Sequence, residues 1–411
     1  MKSLDTAALD HADKLAHKLA DFDLPEGCIY LNGNSLGPPT RHVKEEVQGI
    51  LSQQWGKDLV SSWNNHGWID LPVTVGEKIA HLVGAGPGQV ICCDSISINL
   101  FKILSSCLSL SGNRPVILSE LNNFPTDLYV AQGIERLIGS ELCQLRLVDA
   151  EDIVSSITDD VGVLLLSHVN FRDGGMLDMK LITDQAHNRG ALVVWDLAHS
   201  AGVLPILLDE CGVDFAVGCG YKYLNGGPGA PSFLYVNQKL QGQFTQPLQG
   251  WMGHASPFDF DSSYRAASGV SQFLCGTPPI LSLGALDAAL DIFADVNIDD
   301  LAKKAGLLRD TFLALLESDK SLVTLKLESP RGSIDRGAQL SFSHPKAYEI
   351  CRALHEDGVI ADFRSPNLIR FGFSPLFLSF AAISDAVGKL SNIMRDEIFD
   401  RPEFNVRQKV T

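Results

Sequence analysis

Between residues 88 and 236, short apolar runs alternate with longer amphipathic stretches, and this alternation constrains the fold more than any other feature of the chain. The predicted strands are Val90–Cys93, Val116–Ser119, Val161–Leu166, Ala191–Trp195, Phe215–Val217 and Phe233–Val236. Apolar strands separated by helical segments are typical of βαβ units, whose mostly parallel sheet is covered by helices on both faces. We therefore predict a large α/β domain.

A second, smaller domain is expected, because 411 residues exceed what one hydrophobic core usually organises. Beyond residue 280, helical patterns alternate with strand-like runs: helices at 280–293, 301–316, 348–356 and 383–399, and strands at 322–327, 338–342 and 368–371. Near the start, a helical pattern at 8–22 precedes a short strand at 29–31. We predict three parts: an N-terminal helical segment (1–60) packed on the small domain and the functional site, a large α/β domain (61–290) and a small α+β domain (291–411).

Charge and cysteine content narrow the function classes. With 49 acidic against 33 basic side chains, the formal net charge is -16, which disfavours nucleic acid and anionic membranes as partners. No apolar run approaches the roughly 20 residues of a membrane span, and the first residues lack the apolar core of a signal peptide. The nine cysteines lack CxxC pairs and zinc-type spacing, so we expect reduced thiols, no metal and a cytoplasmic protein.

The segment from Trp195 to His199 directly follows a predicted strand and contains Asp196. In open α/β sheets, ligands bind beyond the carboxyl ends of the strands, so Asp196 and His199 lie where a site is usual. An aspartate at a strand end can also simply cap the next helix. The segment alone leaves both interpretations open.

Another strand end carries Lys222, which stands between Tyr221 and Tyr223 and before a glycine-rich turn. A lysine that forms a Schiff base needs a lowered pKa, and aromatic and apolar neighbours lower it by desolvation. Most lysines are merely solvated, but this combination favours a functional one. The turn lacks the GK[ST] ending of a phosphate-binding P-loop.

A third strand end, at residues 93–99, places hydroxyl groups at the start of an apolar helix. Ser97 and the free N–H groups there suit a phosphate, although an N-cap serine is the commoner explanation for such a residue alone. Lys222 follows Asp196 by 26 residues. An aspartate at a pyridine nitrogen keeps that nitrogen protonated, which makes pyridoxal 5'-phosphate (PLP) an effective electron sink. A phosphate-binding helix start, an aspartate and a lysine that follow one another in this order along the chain are typical of fold-type-I PLP enzymes.

Nine motifs, spread in order over nearly the whole chain, resemble those of the kynureninase family. They are IYLNGNSLG (29–37), DSISINLFK (94–102), NFPTDLY (123–129), SHVN (167–170), WDLAHSAG (195–202), YKYLNGGPG (221–229), GWMGH (250–254), GTPPI (276–280) and IRFGFSPL (369–376). The resemblance implies an aspartate-aminotransferase-like fold of type I with a mostly parallel seven-stranded sheet. It also implies PLP as cofactor and a homodimer with shared active sites.

The same resemblance implies roles at the cofactor. Lys222 would carry PLP as a Schiff base, Asp196 would pair with the pyridine nitrogen, and Tyr221 would contact the phosphate and act as acid and base. The remaining cofactor contacts would come from Ile96, Ser97, Phe124, Pro125, Thr126, Asp127, Ser167 and His199, and, across the dimer interface, from Trp251 and Thr277. The loop at 32–39 is dense in turn formers and, on composition alone, is either a specific path near the site or an ordinary connector.

The implied reaction is the hydrolysis of L-kynurenine to anthranilate and L-alanine, a step of tryptophan catabolism and NAD biosynthesis. Lys222 would take the α-proton, water would add to the γ-carbonyl, and Tyr221 would assist carbon–carbon cleavage. Arg370 would bind the α-carboxylate through its planar fork. Further substrate contacts are implied for Ser35, Trp63, Trp251, Met252 and Thr277.

Two departures from other members concern the substrate. Met252 stands where some relatives carry phenylalanine, and Thr277 where animal enzymes carry asparagine, while the stretch 63–66 resembles bacterial members. We therefore expect kynurenine to be preferred over 3-hydroxykynurenine. Two alternatives stay open: another fold-type-I lyase such as a cysteine desulfurase, which needs a mobile catalytic cysteine, and an inactive PLP-fold binding protein, which would have lost the lysine, acid or arginine.

Overall fold

A computed structural model describes residues 5–408 of the chain. Its α-helices are α1 (Thr6–His11), α2 (Arg41–Gly49), α3 (Ser62–Asn65), α4 (Leu71–Leu82), α5 (Ile96–Leu110), α6 (Pro125–Ile138), α7 (Met179–Asn188), α8 (Leu208–Cys211), α9 (Ile280–Leu290), α10 (Ile298–Ser318), α11 (Ala347–Glu356) and α12 (Phe380–Arg395). Its strands are β1 (Ile29–Tyr30), β2 (Val90–Cys92), β3 (Val116–Glu120), β4 (Gln144–Val148), β5 (Val161–Ser167), β6 (Leu192–Asp196), β7 (Phe215–Cys219), β8 (Ser232–Val236), β9 (Lys326–Leu327), β10 (Gln339–Ser343), β11 (Val359–Ile360), β12 (Asp362–Arg364) and β13 (Leu368–Gly372).

The central sheet has seven strands in the order β2-β8-β7-β6-β5-β3-β4. Strand β8 runs antiparallel to both of its neighbours, and the other adjacent pairs are parallel. Alternate residues of β5 pack on opposite faces: Leu164 joins the apolar cluster that contains residues of α4, α7 and α9, and Leu165 joins the cluster with α5 and α6. The mostly parallel seven-stranded α/β fold that we predicted is confirmed.

A second sheet, in the order β12-β13-β10-β9, is antiparallel. Helices α10 and α11 pack on this sheet, and α12 packs on α10 and α11. The N-terminal segment is joined to this part of the molecule. Strand β1 pairs with β11, the carboxylate of Asp10 accepts hydrogen bonds from the first N–H groups of α12, and Asp13 forms a buried ion pair with Lys304 at 2.6 Å. The division of the chain at residues 60 and 290 stays a prediction.

Two predictions of secondary structure were wrong in part, and one strand was missed. The helix expected at 8–22 is interrupted, because the Asp13 carboxylate accepts from the N–H of Leu15 at 2.9 Å and holds the chain in a turn before a 3₁₀ helix at Ala16–Asp21. The strand expected at 322–327 is reduced to β9. Strand β4 was missed because it is a half-exposed edge strand with polar residues. Within residues 5–408, no helix combines the length and the apolar character that crossing a bilayer requires.

Candidate active site

Several strand ends meet at one edge of the central sheet, where a cavity of about 180 Å³ opens. Ser167 and Asp196 end β5 and β6 and lie side by side in the sheet. Parallel strands bring the residues that follow them to one edge, so side chains distant in sequence meet there. The cavity is lined by Ser95, Ile96, Ser97, Phe124, Thr126, Ser167, Val169, Phe171, Asp196, Ala198, His199, Cys219, Tyr221, Lys222, Ala230 and Ser232.

The first turn of α5 forms one wall of this cavity. Ser95 caps the helix by accepting a hydrogen bond from the N–H of Ile98 at 3.5 Å, so capping does not require Ser97. Below the cap, the fully buried Lys102 donates to the carboxylate of Asp94 and to the carbonyl of Phe273, both at 2.5 Å. A helix N-terminus with free N–H groups and a nearby hydroxyl is suited to a phosphate group.

Two buried carboxyl groups lie at the sheet edge. Asp196 accepts a hydrogen bond from the N–H of Ala198 at 2.8 Å, and the fully buried carboxyl group of Asp127 interacts with the carboxyl group of Asp196. Burial and the negative charge of Asp196 raise the pKa of Asp127 well above its usual range, and burial also raises the pKa of Asp196. Two adjacent buried acids favour a shared proton or a cationic partner, and a protonated pyridine nitrogen provides such a cation.

Lys222 is buried at the same edge, and its Nζ lies 2.9 Å from Nε2 of His199. Burial and the positive charges of Lys222 and Arg370 lower the pKa of His199 well below its usual range, so this imidazole is neutral. The Lys222 Nζ lies 5.9 Å from the ring centre of Phe124 and 5.8 Å from that of Tyr221. Burial raises the pKa of Tyr221, which keeps its phenol protonated.

The loop at 32–39 supports the turn that carries Lys222. The N–H of Gly37 donates to the carbonyl of Tyr221 at 2.8 Å. A Cβ atom at Gly37 would overlap the carbonyl of Lys222 and the side chain of Asn225, so only glycine allows this close approach. The loop therefore follows a specific path beside the lysine and is not an ordinary connector.

An arginine pair lies on the second sheet. Arg370 is 1% exposed, and its Nε and Nη2 donate to the two oxygens of Asp362 at 2.8 and 2.5 Å, while Nη1 donates to the carbonyl of Phe171. Arg364 shares the same carboxylate at 3.0 Å, with 38% of its side chain exposed. Since two guanidinium groups share one carboxylate, this cluster carries one surplus positive charge.

The cavity brings together nine of the predicted site residues: Ile96, Ser97, Phe124, Thr126, Ser167, Asp196, His199, Tyr221 and Lys222. Pro125 begins α6, and Asp127 lies buried against Asp196. The other predicted residues, Ser35, Trp63, Trp251, Met252, Thr277 and Arg370, do not line the cavity. Their roles stay predictions.

The residues outside the cavity differ in their surroundings. Trp251 is 40% exposed and Thr277 is exposed, whereas Met252 is buried in the apolar cluster of its own chain. Trp63 packs edge to face on Trp68, with ring centres 5.8 Å apart. In a single chain, these predicted substrate-binding residues therefore do not enclose the cavity around Lys222.

Sequence reasoning missed several residues at or near the cavity. Phe171 packs edge to face on Phe124 at 5.1 Å, and Asp362 pairs with Arg370. A signal for Asp362 was present, because it is an acid at the end of an apolar run, and it lies opposite Arg370 in the β12–β13 register. Among residues 5–408, no group of three His, Cys, Asp or Glu side chains could hold a metal ion.

The parallel sheet, the helix N-terminus, the acid pair and the buried lysine together define a fold-type-I PLP-dependent enzyme. Solved structures support the fold. An apo cysteine desulfurase from Thermococcus onnurineus NA1 is 17% identical, with a TM-score of 0.79 over 93% of this chain and 99% of that one. A C-DES variant with glycine covalently linked to its PLP cofactor is 16% identical, with a TM-score of 0.78 over 89% of this chain and 97% of that one.

Sequence comparisons give the family. The model of the kynureninase C-terminal domain matches residues 301–390. A protein named kynureninase from Deinococcus radiodurans is 47% identical over 97% of this chain and 98% of its own length, and one from Pseudomonas fluorescens is 43% identical over 99% of each chain. The chain belongs to the kynureninase family.

Proposed function

We propose that this chain hydrolyses L-kynurenine to anthranilate and L-alanine, with PLP held in the cavity around Lys222. The observation that carries the proposal is the arrangement of the buried acid Asp196, with Asp127 buried against it, at the same cavity as a buried lysine and a helix N-terminus. A lysine, an acid pair and a phosphate seat match the aldehyde, the pyridine nitrogen and the phosphate of PLP.

The residues present fit this cofactor. The first turn of α5 with Ser97 would hold the phosphate, Phe124 would cover the ring, and Asp196 would pair with the pyridine nitrogen. When bound, PLP supplies an electron sink for the negative charge that develops at the substrate α-carbon. Thr126 and Ser167, which also line the cavity, would provide further polar contacts.

The protein supplies the proton transfers. Lys222 removes the proton from the α-carbon, and the neutral His199 beside it adds no competing positive charge. Water adds to the γ-carbonyl, and the resulting diol gives up a proton as the bond between the β- and γ-carbons breaks. The β-carbon then takes up a proton, and Lys222 returns a proton to the α-carbon, which gives L-alanine. Tyr221 is the donor of the proton at the β-carbon, because its raised pKa keeps the phenol protonated at neutral pH.

The surplus positive charge of Arg364, Asp362 and Arg370 selects an amino acid substrate. Arg370 is held rigidly by Asp362 and is the proposed partner of the α-carboxylate. Asp362 fixes the planar fork of Arg370 before a substrate arrives, which reduces the ordering that binding requires.

A homodimer is part of the proposal. Trp251 and Thr277 are exposed on this chain and lie outside its cavity, so they are available to complete the site of a second copy. Met252, Thr277 and the stretch 63–66 support the preference for kynurenine over 3-hydroxykynurenine. The nine free cysteines support a cytoplasmic location.

A cysteine desulfurase activity is not favoured. The cysteine that lines the cavity is Cys219, which is buried, and burial raises its pKa. A desulfurase requires a mobile cysteine with thiolate character, whereas Cys219 is fixed at the end of β7. An inactive binding protein is also not favoured, because Lys222, Asp196 and Arg370 are all present.

Purified protein loaded with PLP tests the proposal. We expect a visible absorbance band that borohydride bleaches, and fluorescence from anthranilate when L-kynurenine is added. Lys222→Ala should show neither, and L-cysteine should release no sulfide from the wild-type enzyme. Steady kynurenine hydrolysis by Lys222→Ala, or failure of the protein to take up PLP, would contradict the proposal.

A further inference from the structure

Asn123 is buried beside the cavity, directly before Phe124 and the start of α6. The oxygen of its side chain, Oδ1, accepts a hydrogen bond from the N–H of Phe124 at 2.7 Å. The nitrogen, Nδ2, donates to the carbonyl of Leu165 at 3.4 Å. An N–H group only donates and a carbonyl only accepts, so these two partners fix which end of the amide is the oxygen.

Ser119, near the end of β3, supports the same orientation of the amide. Its hydroxyl donates to the carbonyl of Leu165 at 2.6 Å, which uses its one hydroxyl hydrogen. Towards Asn123 the Ser119 oxygen can therefore only accept, and Nδ2 of Asn123 donates to it at 3.1 Å. Both groups on this side of the amide require a donor, so the oxygen end faces the other side.

The orientation of this amide determines where the hydroxyl hydrogen of Ser167 lies. Ser167 ends β5 and lines the cavity, and its Oγ lies 2.6 Å from Oδ1 of Asn123. Because Oδ1 carries no hydrogen, Ser167 is the donor in this contact. A serine has one hydroxyl hydrogen, so Ser167 presents only lone pairs to the cavity.

We propose that Asn123 is a positioning residue, which holds the hydroxyl hydrogen of Ser167 away from the cavity so that Ser167 accepts a hydrogen bond from the bound cofactor. The inference rests on the proposed function in taking PLP as that cofactor. Ser167 lies beside Asp196 in the sheet, so two acceptors stand together at this edge of the cavity. Adjacent acceptors favour the protonated form of a pyridine ring, which is the form that withdraws electrons.

A double-mutant cycle on the affinity for PLP tests this role. Protein stripped of PLP is titrated with it, and absorbance reports binding. We expect an about fivefold weaker affinity for Ser167→Ala and for Asn123→Leu, as for the loss of one hydrogen bond. If Asn123 acts through Ser167, the double variant should also be about fivefold weaker, whereas independent effects would multiply to about 25-fold.

Ser119→Ala is the matched control, because it removes a fully buried hydroxyl from the nitrogen end of the same amide and leaves Oδ1 of Asn123 in place. It should lower the melting temperature and leave the affinity for PLP unchanged. A wild-type affinity in Asn123→Leu, or effects of Asn123→Leu and Ser167→Ala that multiply, would overturn the inference.

Asn123→Asp decides the question if Asn123→Leu does not fold. Burial protonates an aspartic acid, which then has one accepting oxygen and one donating group, like the amide. We expect its affinity for PLP to stay within about twofold of the wild type, and an about fivefold loss would overturn the inference. Anthranilate release by the wild type reports separately on the proposed function, and a wild-type protein that takes up no PLP would contradict both.

Discussion

The surroundings of Lys222 and the segment from Trp251 to Thr277 differ in how far one chain completes them. Around Lys222, one chain provides the lysine, the acid Asp196 and the neutral His199, all buried. In the second region, Trp251 is 40% exposed beside Phe258, which is 61% exposed. Exposed aromatic clusters mark interaction surfaces. The comparison supports the proposal that the cofactor chemistry is built into the core of one chain and that enclosure of the substrate depends on a second subunit.

The largest loss of activity is expected from substitutions around Lys222, the region that one chain completes by itself. Asp196→Asn removes the negative charge proposed to pair with the pyridine nitrogen, and the loss of one partner from a buried pair corresponds to about a thousandfold lower kcat. Anthranilate formation measures the change. Asp214→Asn is the matched control: Asp214 is also buried but precedes β7, at the opposite edge of the sheet, and accepts from the N–H of Val193. Similar losses in both variants would contradict the assignment.

The arginine pair is intermediate between the two regions, because the side chain of Arg370 is buried and that of Arg364 is half-exposed. Arg370→Lys cannot form the same planar fork, so we expect KM for L-kynurenine to rise about a hundredfold with a smaller change in kcat. Arg364→Lys should raise KM by at most about tenfold, because its ion pair is partly exposed. The reverse order would show that Arg364, and not Arg370, is the main carboxylate partner.

Mixed dimers test whether the segment from Trp251 to Thr277 completes the site of its own chain or that of the partner subunit. Lys222→Ala and Trp251→Ala are dissociated, mixed and reassociated. If Trp251 completes the site of the other subunit, roughly a quarter of the sites regain both residues, and activity recovers in that proportion. Lys222→Ala mixed with Asp196→Asn should not recover, since both residues act within one chain. Recovery in this control, or none with Trp251→Ala despite reassociation, would contradict the shared site.

Acid sensitivity is the smallest expected effect. Burial lowers the pKa of His168, which directly follows β5, to about 4. A histidine in an unfolded chain has a pKa of ~6.5. Between about pH 4 and 6.5 the unfolded chain therefore binds more protons than the folded one, and the free energy of unfolding falls by about 1.4 kcal/mol for each pH unit of acidification. His168→Gln should reduce this slope in urea unfolding between pH 6.5 and 5. His17→Gln, at an exposed position, is the control and should leave it unchanged.

The central sheet and the cofactor side of the site could be predicted from the sequence. Strands buried on both faces give continuous apolar runs, so their ends, and with them Asp196 and Lys222, are visible without a structure. The prediction of a phosphate site near Ser97 rests on a helix start, which is also a local feature. Strand β4 was missed because an edge strand lacks the continuous apolar pattern.

Contacts between distant segments could not be predicted. Gln339 meets Asn34 and the carbonyl of Phe171 only because β10, the loop at 32–39 and the end of β5 converge in the folded chain. The ion pair of Arg370 with Asp362 depends on the register of two antiparallel strands. The location of Trp251 at the surface likewise depends on packing, and its role requires knowledge of a second chain.

Mapping the covalent link to PLP tests the central claim most directly. The PLP-loaded protein is reduced with borohydride and digested, and the modified peptide is identified by mass spectrometry. We predict a pyridoxyl group on Lys222 in the wild type and none in Lys222→Ala, with Lys239→Ala, at a lysine outside the cavity, modified like the wild type. A reduced adduct on another lysine, or no adduct in protein that hydrolyses L-kynurenine, would contradict the account.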